Sequence, residues 1–234
     1  MKKWIKRILL AVLGVILTAG IVLVCMGYGD YRKALEQENI ADKVEEIRSD
    51  PDYVRIEDLP QTYLDAVVAV EDHRFREHGG VDIIAVARAL KNDLLSGSMK
   101  EGGSTITQQL ARNMYFDQDK ELVRKVAEAF MAIELEREYT KDEILELYVN
   151  TIYFGDGYYG IGEASRGYYH KVPGELNAYE CTMLAGLPNA PSAYALSDHP
   201  ELAEQRRQTV VGQMVKYGYL SEEEGEQLKG EENA

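Results

Sequence analysis

The chain has 234 residues, of which 45% are hydrophobic, and a formal net charge of −14 at pH 7. A chain of this length can bury one substantial core and still carry an appendage. So acidic a composition argues against a nucleic-acid partner and against non-specific adsorption to anionic lipid.

The first 28 residues predict a membrane anchor. Residues 1–7 carry four cations, and the run from Ile8 to Tyr28 that follows contains no charged residue. At 1.5 Å per residue this run spans the roughly 30 Å of a bilayer core. A secretory signal peptide is the competing interpretation, but its apolar region is usually shorter and ends in a small-x-small cleavage site. The positive-inside rule places residues 1–7 in the cytoplasm and the chain from about residue 30 outside the membrane.

The outer part of the chain is more acidic than the whole. Without the four N-terminal cations and Asp30, 22 basic and 39 acidic residues remain, a net charge of −17. An anionic substrate would therefore have to be held by a few placed cations rather than by a general field. Cys181 is the only cysteine of the sequence outside the predicted anchor, so an internal disulfide is not expected. Its apolar surroundings favour a small core residue over a nucleophile.

The remaining organisation is helical. Residues 29–54 predict a polar, charged helical stem that Pro51 ends. Over 55–220, apolar residues recur at spacings of three and four between Gly and Pro, without sustained strand-like alternation. This pattern predicts one compact, mainly α domain. Residues 221–234 are predicted to be a solvated acidic tail.

The first candidate site is the stretch VEDHRFREHGG, which sets a dense group of ionisable residues directly after an apolar run. Helical spacing would put Glu71, Phe75 and His78 on one face and Asp72 elsewhere. A carboxylate that follows an apolar run is expected to be buried, which raises its pKa and suits general acid or base work near neutral pH. The alternative is a surface carboxylate paired with a neighbouring arginine or histidine.

The second candidate, EGGSTITQQLARN, is a glycine-rich loop that leads into a helix. Thr105 and Gln108 have the spacing of a capping box, so the helix is expected to begin at about Ser104 or Thr105. Exposed backbone N–H groups at such an end attract anions. Gln109 and Arg112 follow one turn later and could reach the same anion. An ordinary helix cap is the alternative.

The third candidate segment runs from Arg124 to Asn150. Glu128 lies one helical turn after Arg124, a spacing that is common in surface ion pairs. Apolar residues surround this predicted helix almost completely, however, so Glu128 is expected to be largely buried. A buried carboxylate needs a partner such as Arg124, Lys125 or a bound cation.

Several other chemistries are not indicated by the sequence. The four histidines are scattered and unsupported by cysteine, so a structural zinc site is not expected. The sequence also contains no Walker loop, no GxSxG and no Rossmann fingerprint.

Together and in this order, these segments resemble the peptidoglycan glycosyltransferases (glycosyltransferase family 51), which occur alone or as the N-terminal module of class A penicillin-binding proteins. The matching stretches are AVVAVEDHRFREHGGVD, GGSTITQQLARN, RKVAEAFMAIELEREYTKDEILELYVNTIYFG, GYYGIGEASRGYY and LAGLPNAPSAY. The resemblance implies a mainly α, lysozyme-like lobe over 55–220, preceded by one transmembrane helix. It also implies a small membrane-proximal jaw lobe, with exposed apolar residues expected at about 114–122.

The resemblance implies a membrane-anchored, single-pass, inverting hexosyltransferase that polymerises lipid II into the β-1,4-linked glycan of peptidoglycan and releases undecaprenyl pyrophosphate. Glu71 matches the general base on the acceptor 4-hydroxyl. Glu128 matches the second essential carboxylate, on the pyrophosphate side, and is a candidate ligand for Mg²⁺ or Mn²⁺. No organic cofactor is implied. The positions expected to bind substrate are Asp72, Phe75, His78, Ser104, Thr105, Gln109, Arg112, Asn113, Arg124 and Lys125.

Some residues depart from the family pattern. Arg112 stands where the family commonly has lysine, which keeps the charge but changes its geometry. GEASRGYYHK replaces a more usual EAASRYYFGK-like sequence, and Asn189 is a further variation. The transpeptidase elements SxxK, SxN and KTG are missing from the sequence, so a monofunctional polymerase is expected, although a bifunctional protein truncated after its first domain would look the same. Candidate partners are lipid II, the growing glycan strand, membrane lipid, transpeptidases and cell-wall assembly proteins.

Two alternatives stay open. A glycan-cleaving lytic enzyme also uses two carboxylates in a lysozyme-like lobe, but it accounts less well for the anion loop, the Arg124–Lys125 pair and the anchor. A catalytically silent membrane scaffold of cell-wall synthesis would keep the fold, although loss of Glu71 or Glu128 would then be expected.

Overall fold

The computed structural model of the protein describes residues 2–96, 103–116 and 121–231. Within these ranges the chain forms α-helices and no β-strand, which confirms the predicted mainly α fold. The helices are α1 Lys2–Gln37, α2 Ile40–Arg48, α3 Gln61–Glu71, α4 Ile83–Ser96, α5 Ile106–Tyr115, α6 Glu121–Glu138, α7 Lys141–Thr151, α8 Gly160–Tyr169, α9 Ala178–Gly186, α10 Pro200–Lys216 and α11 Glu222–Gly230. Part of the expected jaw segment, residues 117–120, lies outside the described residues.

Helix α1 extends beyond the predicted anchor. Its stretch Trp4–Gln37 is long and apolar enough to cross a membrane, with a mean hydropathy of 3.0 in its most apolar window. The helix does not end with the apolar run but continues to Gln37. Asn39 then caps α2 by accepting a hydrogen bond from the backbone N–H of Asp42. The segment predicted as a stem is thus helical, but it is divided between the end of α1 and the separate helix α2.

The C-terminal end of α1 packs on α6, the most extensive contact among the described helix pairs. Gly27 approaches α6 so closely that a Cβ atom there would lie 2.5 Å from Cβ of Val126. Phe130 lies one turn after Val126 on α6. Its ring contacts those of Tyr28 and Tyr31, with centroid distances of 5.3 and 5.9 Å. Part of the apolar surface predicted for α6 is therefore covered by the end of α1, while Leu122 and Ile133 stay exposed.

The rest of the core consists of two groups of helices. In one, α3 packs against α9 and α10; in the other, α5 packs against α6 and α7. Cys181 of α9 is fully buried, and burial raises the pKa of its thiol to about 12, which confirms the core role predicted for it. The two groups meet at the end of α3, where Gln109 of α5 contacts Glu71.

The acidic C-terminal segment is not a simple solvated tail. Glu222–Gly230 forms helix α11, which Ser221 and Glu224 cap, and Leu228 is buried. Arg207 of α10 is also fully buried and donates a 2.9 Å hydrogen bond to the Leu228 carbonyl. This cation ties the end of α11 to α10. Residues 232–234 lie outside the described residues.

The close contact of Gly27 with α6 predicts that an alanine at this position destabilises the protein, although alanine usually stabilises a helix relative to glycine. Gly27→Ala should destabilise the detergent-solubilised protein by about 1 to 3 kcal/mol, because the new methyl group overpacks against Val126. Gly20→Ala is the matched control, since nothing lies within 4 Å of the added Cβ in the described structure, and alanine improves helix propensity at both positions. Thermal denaturation measures both. Equal stability of the two variants would contradict the packing of α1 on α6.

Candidate active site

Glu71 is the last residue of α3, because the backbone leaves the helix at Asp72 with φ −158° and ψ 77°. The prediction that Glu71, Phe75 and His78 share a helical face, with Asp72 pointing elsewhere, is wrong. Asp72 turns inward, where its carboxylate lies 2.8 Å from His78 Nε2 and accepts the backbone N–H of Ile106 at 3.1 Å. This tertiary pairing with the start of α5 overrides the local helical pattern. Phe75 is fully buried.

The Glu71 carboxylate is buried, with 10% of its side chain exposed. Oε2 accepts a 2.8 Å hydrogen bond from Nε2 of Gln109. Oε1 has no hydrogen-bond partner among the described residues. The guanidinium of Arg206 lies 3.8 Å from this oxygen, near enough for charge attraction but too far for a hydrogen bond. Burial raises the pKa of Glu71, and Gln109, Arg206 and Arg112 limit the rise. The predicted burial of Glu71 is thus confirmed.

The N-terminus of α5 has the predicted capping box. Thr105 accepts the backbone N–H of Gln108, and the Gln108 side chain accepts that of Thr105. The Thr105 hydroxyl also donates to the Gly80 carbonyl at 2.7 Å. The predicted anion at this helix end is present, but it is the protein's own Asp72, which occupies the Ile106 N–H. Asp72 and Thr105 therefore lock two chain segments together, and this helix end is not left open as an anion site.

Glu128 is fully buried on α6 and is paired with two cations. Arg124 donates to its Oε1, and Lys125 Nζ donates to its Oε2 at 2.6 Å. Lys125 also reaches the hydroxyl of Ser104 at 3.2 Å. The predicted need of Glu128 for a cationic partner is confirmed. Nε of Arg124 is buried and has no hydrogen-bond partner within the described part of the chain. We refer to Oε1 of Glu71 and Nε of Arg124, both buried without a hydrogen-bond partner in the described ranges, as the two open atoms.

A cleft of about 600 Å³ has Arg124 in its lining, whereas Glu71 lines a separate, smaller cavity. Gln109, which holds Glu71, forms part of the wall of the cleft, and Arg112 and Arg124 give the cleft positive charge. The lining residues of the cleft are Gln109, Arg112, Asn113, Phe116, Arg124, Ile152, Tyr153, Tyr159, Pro188, Asn189, Pro191 and Ser192. The smaller, polar cavity of about 30 Å³ adjoins Glu71 and Ser104, a volume that accommodates a water molecule.

The structure brings together only part of the predicted set. Four predicted substrate-binding residues line the cleft: Gln109, Arg112, Asn113 and Arg124. Arg206 was missed, because it lies on α10, far along the chain, and two adjacent arginines in a polar helix give no local signal that one of them faces a distant carboxylate. The aromatic wall of Tyr153 and Tyr159, with ring centroids 4.7 Å apart, was also missed. Their meeting depends on the glycine-rich turn between them, in which Gly155 and Gly157 have positive φ.

The described donor set does not fit the predicted divalent metal at Glu128. Mg²⁺ and Mn²⁺ are bound through several carboxylate, carbonyl or water oxygens. Both oxygens of Glu128 are instead taken by Arg124 and Lys125. The described residues also contain no cluster of three or more His, Cys, Asp or Glu side chains suited to a metal. The geometry around Glu128 is that of a carboxylate that fixes two cations.

Comparison with known proteins identifies the family. Residues 37–215 match the family model described as Transglycosylase. Penicillin-binding protein 1F of Bacillus subtilis is 46% identical over 177 residues, which make up 76% of this chain and 25% of that protein. A Cupriavidus necator protein, provisionally named a transglycosylase, is 42% identical over 218 residues, covering 93% of this chain and 90% of that protein. The crystal structure of penicillin-binding protein 1A from Haemophilus influenzae shares 24% identity, with a TM-score of 0.47 over 78% of this chain and 18% of that one.

The family model and the two sequence relatives define an enzyme class, the peptidoglycan glycosyltransferases, and confirm the resemblance seen in the sequence motifs. The chain belongs to the transglycosylase family. It spans 25% of the penicillin-binding protein from B. subtilis but 90% of the C. necator protein. The family implies no organic cofactor.

The buried ion cluster on α6 predicts a stability effect that is separate from catalysis. Glu128→Gln should lower the free energy of unfolding by about 1 to 3 kcal/mol, because Arg124 and Lys125 lose their buried counter-charge. Glu134→Gln, on the same helix, removes a carboxylate that pairs with the largely exposed Arg137 and should cost under about 0.5 kcal/mol. Denaturant unfolding of both variants measures the difference. A Glu128→Gln protein as stable as Glu134→Gln would contradict the role of Glu128 as the anchor of the two cations.

Proposed function

We propose that this chain polymerises lipid II into β-1,4-linked glycan strands and releases undecaprenyl pyrophosphate. The observation that carries this proposal is the pair of open atoms, an acceptor on Glu71 and a donor on Arg124. Buried polar atoms without partners are rare and cost free energy, so a bound ligand that pairs them would be favoured. A hydroxyl group suits the Glu71 oxygen, and an anionic oxygen suits the Arg124 nitrogen.

The chemistry follows from these two positions. Glu71, ionised, takes the proton of the acceptor 4-hydroxyl as that oxygen bonds to C1 of the donor sugar. The bond from C1 to the pyrophosphate oxygen breaks, the configuration at C1 inverts, and the pyrophosphate leaves with the bonding electrons. Arg124 and Lys125 neutralise its charge, while Glu128 holds both cations in place. The raised pKa of Glu71 strengthens it as a base but also means that it is protonated at a higher pH than an ordinary glutamate.

The position of the cations relative to the anchor supports a lipid-linked substrate. The apolar run of α1 ends at Tyr28, so Gly27 lies at the outer boundary of the predicted span. Gly27 touches Val126, the residue directly after Lys125. Arg124 and Lys125 are therefore near the level of the lipid headgroups, where the pyrophosphate of a membrane-bound donor would lie.

The proposal includes a location and partners. The basic N-terminus would be cytoplasmic and the catalytic domain extracytoplasmic, by the positive-inside rule. Lipid II and the growing glycan strand would occupy the cleft. New strands must be cross-linked, so transpeptidases and other cell-wall assembly proteins are the proposed protein partners.

The geometry favours this reaction over glycan cleavage. Most glycosidases use two carboxyl groups that both act on the scissile bond. Glu128 is poorly suited to such a role, because each of its oxygens already accepts a hydrogen bond from a cation. A silent scaffold gives the two open atoms no role, whereas the proposed reaction would pair both of them with substrate.

The proposed reaction is tested with the detergent-solubilised full chain and labelled lipid II. The wild type should make long, lysozyme-sensitive polymer, and Glu71→Gln should make none, because an amide cannot accept the proton as a carboxylate does. Glu77→Gln is the matched control, since Glu77 is an exposed carboxylate in the same segment; it should keep wild-type activity.

Lipid II binding is measured beside turnover. Glu71→Gln should bind lipid II as the wild type does, which separates loss of the base from loss of the fold. Turnover by Glu71→Gln above a few per cent of wild type would remove Glu71 as the base. A wild type that binds lipid II without making polymer would support the scaffold instead.

A further inference from the structure

Arg206 of α10 faces the proposed base but takes no part in the reaction described above. Its guanidinium Nη2 lies 3.8 Å from Oε1 of Glu71, and its side chain is 14% exposed. Arg206 is absent from the residues that line the large cleft, as far as the described ranges show. Glu71 does not line that cleft either, so the charge of Arg206 lies beside the carboxylate and not among the described lining residues of the cleft.

The fold holds Arg206 in this position from two sides. Its Nε donates a 3.2 Å hydrogen bond to the carbonyl of Gly186 at the end of α9. Gly186 also gives the side chain room, because a Cβ there would lie 3.0 Å from Cγ of Arg206. The next residue, Arg207, points away and fixes α10 through Glu204 and the Leu228 carbonyl. The two adjacent arginines thus have different roles: Arg207 connects α10 to α11, and Arg206 faces the Glu71 carboxylate.

We propose that Arg206 is a positioning residue for Glu71, whose charge keeps the base carboxylate ionised while leaving Oε1 free for the acceptor hydroxyl. The inference rests on the proposed function. The distance is central to it: a guanidinium at hydrogen-bonding distance would occupy the oxygen that the hydroxyl needs. At 3.8 Å the Arg206 guanidinium still attracts the Glu71 carboxylate, but it does not form a hydrogen bond to Oε1, whose lone pairs stay free for the acceptor hydroxyl.

The other groups around Glu71 do not replace this charge. Asp72, on the same segment, raises the pKa of Glu71, while Gln109 and Arg112 on α5 lower it. Two buried tyrosines, Tyr63 on α3 and Tyr148 on α7, also face the carboxylate, and desolvation keeps both neutral by raising their pKa values.

Arg112 differs from Arg206 in its surroundings. It lines the cleft, where a bound anion would share its charge. Arg206 lies outside that lining and is held by the Gly186 carbonyl, so its charge stays with Glu71 when substrate binds.

The test is the pH dependence of lipid II polymerisation by Arg206→Gln. Loss of the cation makes Glu71 harder to ionise, so the variant should be close to wild type at pH 8.5 and about tenfold slower than wild type at pH 6. Arg206→Lys keeps the charge and should follow the wild-type profile within about threefold. Arg137→Gln removes an exposed cation on α6 and serves as the control, with a constant ratio to wild type.

A ratio of Arg206→Gln to wild type that does not change between pH 6 and 8.5 would overturn the role of Arg206, and so would a shifted profile in Arg206→Lys. Thermal denaturation and lipid II binding show whether Arg206→Gln is folded; if it is not, Arg206→Met, which keeps the apolar stem beside Gly186 and removes the charge, carries the same test with the same expected loss at pH 6. Failure of the wild type to make polymer would overturn the proposed function instead.

Discussion

The site depends on the desolvation of one carboxylate. Glu71 ends α3 inside the protein, with one oxygen bonded to Gln109 and the other kept free. Removing a charged group from water costs free energy, so favourable contacts in the surrounding structure must offset that cost. Asp72 contributes by tying the chain after Glu71 to the start of α5, which keeps Gln109 in reach. Arg206 adds a compensating charge at a distance.

A second constraint is the contact between the membrane helix and α6. One face of α6 carries Val126 and Phe130 against α1, and the opposite side buries Glu128 with its two cations. Because α6 is packed from both sides, its contact with the end of α1 helps to hold Arg124 and Lys125 in place. Helix α1 thus contributes to the position of the two cations.

Much of the architecture could be predicted from the sequence, because it depends on local patterns. Apolar spacing gave the helices of the domain, the Thr105–Gln108 spacing gave the start of α5, and burial of Glu128 beside Arg124 followed from the apolar surface of α6. The end of α3 could not be predicted, since it depends on Asp72 pairing with the backbone of a distant helix. Arg206 lies on a helix that only the tertiary fold brings to Glu71. Helix α11 did have a local signal, the capping-box spacing of Ser221 and Glu224, which its acidic composition obscured.

The most direct test of the account is the titration of Glu71 itself. Glutamate carboxyl carbons labelled with ¹³C can be followed by NMR against pH in the detergent-solubilised protein, and the Glu71→Gln variant assigns the resonance. The pKa of the Glu71 carboxyl should lie above 4.5, the ordinary glutamate value, because the effect of burial outweighs those of Gln109, Arg206 and Arg112. A Glu71 resonance that titrates at or below that value would show a solvated or strongly paired carboxylate and would contradict the account.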